Sequence, residues 1–419
     1  MPILDLISKK LEENKQAGLY RKIPRLSFNG NNTKSNPAVN FNHRPTRCPG
    51  PNFDYIINSG RNGEKMGFVN LATNDYLGLS LNEKIKNSAK KAIDTYGTSS
   101  SSSFLIYGHV LPHRKLENLL CKFKGNYERC MLYPSGYQAN LGIIRALSSI
   151  SPLQTFIAFD ELSHASIIDG ILGAKVRFKS FKHNDLCHLE HILKSQKGKE
   201  IKLIITEGVF SMDGDIPDLR GILTIAKKYD AVSIIDDAHA TGTIGGKGGG
   251  SVDFHKVKPD IIMGTLGKAL ASNGAFVLSN RLIIEYLINF SRAFMFSTGI
   301  PPSSAAASLE ALNIINENPE IVTTLQSHAK FARNFLENSE LNISNSVTHI
   351  IPVLIGDEKK AVEVEKKLLK KGIYLKAVRY PAVPKKNARL RLGINAGVNF
   401  IRLECALKDL VKVVKQIYK

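Results

Sequence analysis

From Phe68 onward, short apolar runs alternate with amphipathic stretches, the pattern of an α/β domain built on a mostly parallel sheet. Buried strands are expected at TFIAFD, KLIITEG, AVSIID and DIIMGT, because each is a short apolar run, most of them rich in Ile and Val. Before them, Leu116, Leu119, Leu120 and Phe123 fall on one helical face, and the short run CMLY leads into a second helix, SGYQANLGIIRAL. After about Pro302 a long helical stretch is followed by HIIPVLIG and by the helix EKKAVEVEKKLLKK, which Gly372 closes at its C-terminal cap. The last helix places Leu407, Leu410, Val411, Val414 and Ile417 on one face. No internal repeat of fixed period interrupts this order.

These textures divide the chain into an N-terminal helix and irregular arm (1–66), a large domain (67–302) and a smaller C-terminal α+β domain (303–419). The arm contains the Asn/Pro/Gly-rich segment NGNNTKSNPAVNFNHRPTRCPGPN, which reads as loop. A chain of 419 residues, 43% of them apolar, can bury a large core. No uncharged apolar run approaches the ~18 residues of a membrane span, and the N-terminus lacks the apolar core of a secretory signal. The five cysteines are scattered, with no CxxC pair, which fits a reducing, cytoplasmic setting. Lys and Arg outnumber Asp and Glu by 57 to 37, a net charge of +20. The basic residues are spread over amphipathic helices with no basic-aromatic stripe, so they read as solvated faces and not as a nucleic-acid surface.

Candidate chemistry collects where the expected strands end. AVSII runs into Asp236 and Asp237, with His239 just beyond; a carboxylate there can pair with a protonated pyridine, the electron sink of pyridoxal 5'-phosphate (PLP). DIIMGT runs into LGKALASNGA, placing Lys268 shortly after Thr265, where desolvation favours the neutral amine that forms Schiff bases. SGYQAN puts Gly136 at a helix start whose N–H groups suit a phosphate, and His164 of DELSHASIIDG follows the strand TFIAFD, where an imidazole can lie against a planar ring. Taken singly, Asp236 reads as a helix cap, Lys268 as a surface lysine and His164 as an ordinary core or surface histidine. Together they describe one cofactor site. GTLGK lacks the spacing of a P-loop, and the HLEH stretch after Cys187 lies on a polar helix without further ligands, so no metal site is expected.

In NDYLGLS, GHVLPHRKLE, SGYQAN, DELSHASIIDG, KHND, EGVFSMDGD, DDAHATG, GTLGKAL, FSTGIPP and VPKKNARLRLG, the sequence resembles the α-oxoamine synthases, PLP-dependent transferases of fold type I. The resemblance runs from about Leu6 to the C-terminus and is weakest over residues 27–66. It implies a large domain with a mostly parallel seven-stranded sheet. It also implies that Lys268 is the Schiff-base lysine and later moves protons, that Asp236 meets the pyridinium nitrogen, that His239 meets the ring oxygen and that His164 stacks on the ring. Gly136, Tyr137 and Thr265 would hold the phosphate, with Ser211 near the ring oxygen and Thr298 reaching the phosphate of a partner subunit in a homodimer. Asn74 and Arg391 match positions that engage the amino-acid carboxylate, a task suited to the planar arginine fork.

The implied reaction is a decarboxylative condensation of a small amino acid with an acyl thioester to give an α-amino ketone. The stretches LEENKQAGLYRK, GVFSMDGD and AVRYPAVPKKNARLRL are similar to the biotin-pathway branch, which joins L-alanine to a pimeloyl thioester carried on CoA or acyl carrier protein. In that branch Arg21 matches an arginine near the acyl-substrate entrance. KALASNGAF is similar to serine palmitoyltransferase-like members, and TLGKAL to 2-amino-3-ketobutyrate CoA ligase. One departure stands out: in YGTSSSSSFLIYGH, Phe104 follows a serine run where many relatives are glycine-rich, in a loop that lies near the thioester in those relatives.

Overall fold

The computed structural model describes residues 3–21, 23, 55–58, 65–196 and 201–418. The Asn/Pro/Gly-rich part of the arm lies outside the described residues. The strands, in chain order, are β1 (Tyr55–Asn58), β2 (Lys65–Asn70), β3 (Arg129–Tyr133), β4 (Thr155–Asp160), β5 (Arg177–Phe181), β6 (Ile201–Glu207), β7 (Ala231–Asp236), β8 (Ile261–Thr265), β9 (Ala275–Ser279), β10 (Ile350–Gly356), β11 (Ile373–Tyr374), β12 (Ala377–Val378) and β13 (Ala388–Gly393). They belong to two compact units, one comprising Asn74–Ser211 with Asp215–Gln326, the other Met1–Thr73, Met212–Gly214 and Ser327–Lys419.

The first unit holds a seven-stranded sheet in the order β3-β9-β8-β7-β6-β4-β5. Every strand in it runs parallel except β9, which is antiparallel to both β3 and β8. This matches the sheet that the resemblance implies. The central strands are buried on both faces, hence their continuous apolar character: Ile204, Ile235, Ile261 and Phe276 are all fully buried. One layer of the core gathers Ile157, Leu203, Ile205, Ile234 and Met263 from the sheet with Ile143, Ile144, Ile167 and Ile171 from the helices Gly136–Ser148 and Ala165–Ala174.

The expected helical face over Leu116 to Phe123 is only partly the buried one. Leu116 and Leu120 are fully buried, but Leu119 and Phe123 are half-buried. The buried line continues instead through Lys124, whose Nζ meets the Asp237 carboxylate and donates to Thr241 Oγ1 (3.2 Å) and the Gly249 carbonyl (2.7 Å). A lysine can sit so deep only because its charge is paired and all three of its donors are used.

The second unit carries an antiparallel sheet, β10-β13-β12, and a second sheet in which β2 pairs with β1 and β11. The helix Glu358–Lys370 is capped by Asp357, and the turn after it reaches Gly372 at φ 78°, a left-handed conformation that favours glycine. On the last helix Leu407, Leu410 and Val414 are buried as expected, whereas Val411 and Ile417 are half-buried. Cys121, Cys130 and Cys187 are free thiols.

Candidate active site

Because all the strands of the large sheet but β9 point one way, their carboxyl ends share an edge, the place where open α/β sheets gather functional groups. A cavity of about 170 Å³ lies there, lined by Gly136, Tyr137, His164, Asp236, His239, Thr265 and Lys268. These seven come from segments far apart in sequence. The cavity wall also includes Asn140, Ser166 and Glu207, which the sequence reading did not single out.

One end of the cavity is a helix start. Ser135 caps the helix Gly136–Ser148, its Oγ accepting from Gln138 N (3.2 Å) and its carbonyl from Ala139 N (3.0 Å). The amides of Gly136 and Tyr137 are then the donors left at the positive end of the helix dipole, a ready anion cradle. A Cβ added to Gly136 would point toward Met263 (3.8 Å) and Thr265 (4.0 Å), themselves cavity residues, so the absent side chain leaves the cradle open. The Tyr137 hydroxyl turns away and bonds the Asp169 carboxylate.

The cavity wall also holds Asp236, last residue of β7 and 6% exposed. Its Oδ1 accepts from Ala238 N (3.0 Å) and its Oδ2 from Asn140 Nδ2 (2.8 Å). Asn140 Nδ2 also donates to Ser166 Oγ (2.9 Å), which lies 2.7 Å from His164 Nδ1. Since His164 Nδ1 also accepts from Ser166 N (3.2 Å), it is the bare nitrogen of the ring. The proton of the neutral tautomer is therefore on Nε2. Burial lowers the His164 pKa against the pull of Asp236, which keeps this ring neutral and suited to face a flat aromatic surface.

Asp237 faces the other way. Its Oδ1 accepts from Ser251 N (3.1 Å) and Oγ while its Oδ2 pairs with Lys124, so the second aspartate of the pair is part of the framework.

Glu207, at the end of β6, is paired in register with Asp236 and is 2% exposed. It accepts from His164 N (2.6 Å). Burial, and after it the neighbouring Asp236 charge, hold its carboxyl well above the usual carboxylate range. Glu207 therefore holds its proton more readily than an ordinary carboxyl, even though backbone N–H groups of His164 and Ser211 act the other way.

The amine and the second imidazole form a chain. Lys268 Nζ lies 2.8 Å from His239 Nε2, and His239 Nδ1 lies 2.7 Å from the hydroxyl of Tyr76, a fully buried residue. Tyr76 donates its one proton to Asn74 Oδ1 (2.9 Å), so it accepts from His239 Nδ1–H, and His239 Nε2 is left to accept from Lys268. The hydrogen bonds thus specify one His239 tautomer. Asn74 thereby joins the cavity through Tyr76, a link with no signal in the spacing of NDYLGLS.

Other expected residues lie outside the cavity wall. Ser211 is buried, and its amide donates to Glu207. Thr298 is exposed in the segment after the short helix Arg292–Met295. In the second unit, Arg391 is buried on β13, and Arg21 is exposed with its guanidinium donating to the Tyr380 carbonyl (3.2 Å). Phe104 packs edge-on to His113 (ring centroids 5.0 Å apart) and lies where a Cβ on Gly299 would have to go, so the residue after the serine run fills space beside the FSTGIPP segment.

The donor set fits PLP: an anion cradle at a helix start, a carboxylate for a protonated ring nitrogen, a neutral imidazole and an amine, all on one cavity. The family described as aminotransferase class I and II matches residues 67–410. An 8-amino-7-oxononanoate synthase of Thermoanaerobacter pseudethanolicus is 38% identical over 99% of this chain and 98% of its own length. A solved structure of SPT with PLP as the internal aldimine superimposes at a TM-score of 0.81 with 26% identity, covering 87% of this chain and 93% of that one. The crystal structure of 8-amino-7-oxononanoate synthase from Francisella tularensis superimposes at 0.72 with 29% identity, covering 84% and 99%.

Proposed function

The chain belongs to the α-oxoamine synthase family of PLP-dependent acyltransferases, within aminotransferase class I and II, and on that premise we propose that it condenses L-alanine with a pimeloyl thioester, as in biotin biosynthesis. The thioester would be carried on CoA or acyl carrier protein. A carbon–carbon bond forms between the alanine Cα and the thioester carbonyl carbon, the thiol leaves, and the alanine carboxyl departs as CO2, giving 8-amino-7-oxononanoate. The observation that carries this reading is the single cavity on which Lys268, Asp236, His164 and His239 converge beside a helix start. The near full-length match to a synthase of that name supports the choice of substrates.

Bound PLP supplies the electron sink that makes loss of the alanine α-proton feasible. The residues around it have separate tasks. Asp236 would keep a proton on the ring nitrogen, and its two hydrogen bonds fix the carboxylate for that purpose. Gly136, Tyr137 and Thr265 would hold the phosphate, His164 would stack on the ring, and His239 and Ser211 would bind its oxygen. Lys268 would carry the cofactor and, once displaced, take the α-proton on Nζ, with His239 Nε2 within hydrogen-bond reach. Asn74 and Arg391 would grip the alanine carboxylate, and Arg21 would guide the acyl chain. A homodimer would let Thr298 complete the phosphate site of the partner. Among the described residues no helix is long and apolar enough to cross a membrane.

A second reading, serine with a long-chain thioester, draws on the TM-score of 0.81 to SPT. One assay separates them. With carboxyl-labelled alanine, the PLP-loaded enzyme is expected to release labelled CO2 only when pimeloyl thioester is present, with one free thiol formed per CO2. Release from serine with a palmitoyl thioester in its place favours the second reading. Release without any thioester, or transfer of the amino group to a keto acid, overturns both.

A further inference from the structure

The strongest electrostatic construction outside the cavity wall surrounds His183 of KHND, just after β5. Its Nδ1 lies 2.9 Å from Asp160 Oδ1 and its Nε2 lies 2.7 Å from Asp215 Oδ2. Both ring nitrogens meet carboxylate oxygens, which only accept, so both carry protons and the ring is an imidazolium. The carboxylates depend on it. Asp160 is fully buried, Asp215 is 7% exposed, and Asp215 Oδ1 has no hydrogen-bond partner. The remaining donors to this pair are neutral: Asn184 N and Leu162 N to Asp160, and Asn184 Nδ2 to Asp215. Glu161 also faces the group, taking the His183 backbone N–H at 3.1 Å.

His183 grips both ends of the turn that carries Ser211. The Phe210 ring stands edge-on to the imidazole with centroids 4.4 Å apart, and Phe210 N donates to the Asp215 carbonyl (3.1 Å). Between these fixed points the Ser211 amide reaches Glu207, the buried carboxyl that lines the cavity beside Asp236. The turn also begins on a framework contact, Gly208 N to the Asp236 carbonyl (2.7 Å).

We propose that His183 is a positioning residue, a charged latch between Asp160 and Asp215 that sets Ser211 and Glu207 for the bound cofactor. This rests on the reading that Ser211 meets the ring oxygen of PLP. Burial acts against the charge most strongly, but the hydrogen bonds and charges of Asp160 and Asp215 prevail and raise the His183 pKa to about 10. A raised folded-state value means that the latch is at full strength below the ordinary histidine range and is lost as pH rises through about 10.

The test uses the full chain and two variants. In His183→Gln, the segment 208–215 of the apo-protein is expected to exchange its amide hydrogens roughly tenfold faster or more, and PLP to bind correspondingly more weakly, the size of losing a charge-assisted hydrogen bond. The absorption band of bound PLP should shift in the same direction as in Ser211→Ala. His183→Arg, whose fork can meet both carboxylates, should restore most of each effect. An unchanged band and unchanged exchange of 208–215 in His183→Gln overturn the proposal, whatever happens to global stability. If that variant does not fold, the parent protein decides: nitrogen-15 NMR at pH 8 should show both His183 ring nitrogens protonated, and a neutral ring there overturns the proposal. Exchange and NMR involve neither alanine nor thioester, so failure of the condensation assay leaves this test standing.

Discussion

Lys268→Ala protein supplied with PLP is expected to lose the near-visible absorption band of the lysine-bound cofactor and nearly all condensation activity. Removing a positioned proton-transfer group alone costs about 10²–10⁴-fold in rate, and here the covalent attachment goes with it. The fold should survive, because Lys268 is half-buried in the turn after β8 and its Nζ reaches His239 in the cavity. Spectra and single-turnover rates of parent and variant, compared at matched PLP occupancy, check this. A variant that keeps both band and rate would remove Lys268 from the chemistry.

Asp236→Asn should have the next largest effect. The substitution preserves shape but removes the negative charge that would hold a proton on the ring nitrogen, so turnover is expected to fall by about 10²–10³-fold, the scale seen when one preorganised electrostatic contact is lost. There is also a hydrogen-bond conflict. Oδ1 can still accept from Ala238 N, but an amide nitrogen in place of Oδ2 would face Asn140 Nδ2, donor against donor. Asn140 cannot simply flip, because the same nitrogen donates to Ser166 Oγ, which in turn orients His164. The variant should therefore also disturb the stacking imidazole. Measuring kcat together with PLP affinity separates the charge effect from the positioning effect, and unchanged kcat at full PLP occupancy would contradict the role given to Asp236.

Much of this site was legible because its residues follow strands whose apolar runs are unmistakable. β4, β6, β7 and β8 are buried on both faces, so each reads as a continuous apolar run, and each run ends where chemistry begins. β5 was not legible: RFKSF is an edge strand with its first three residues exposed, and its charges mask it. β9 was hidden differently, its short run AFVLS directly following the Asn-Gly of the lysine turn. Polar residues that serve the cavity from within elements left no pattern either. Asn140 and Ser166 sit on helices as any surface residue does, and only the β6–β7 register brings Glu207 beside Asp236. Lys124 was invisible for the same reason, since a buried lysine is recognisable only with its partner Asp237 in view. Arg391 and Arg21 were named from resemblance alone, and their tasks remain proposals about substrate.

Every role proposed for the cavity depends on a covalent bond between Lys268 Nζ and PLP. Borohydride reduction of the PLP-loaded protein, followed by proteolysis and mass spectrometry of the peptides, addresses it directly. A pyridoxyl-phosphate adduct is expected on the peptide containing Lys268 and on no other lysine. An adduct on a different lysine, or none at all in protein that retains activity, would contradict it.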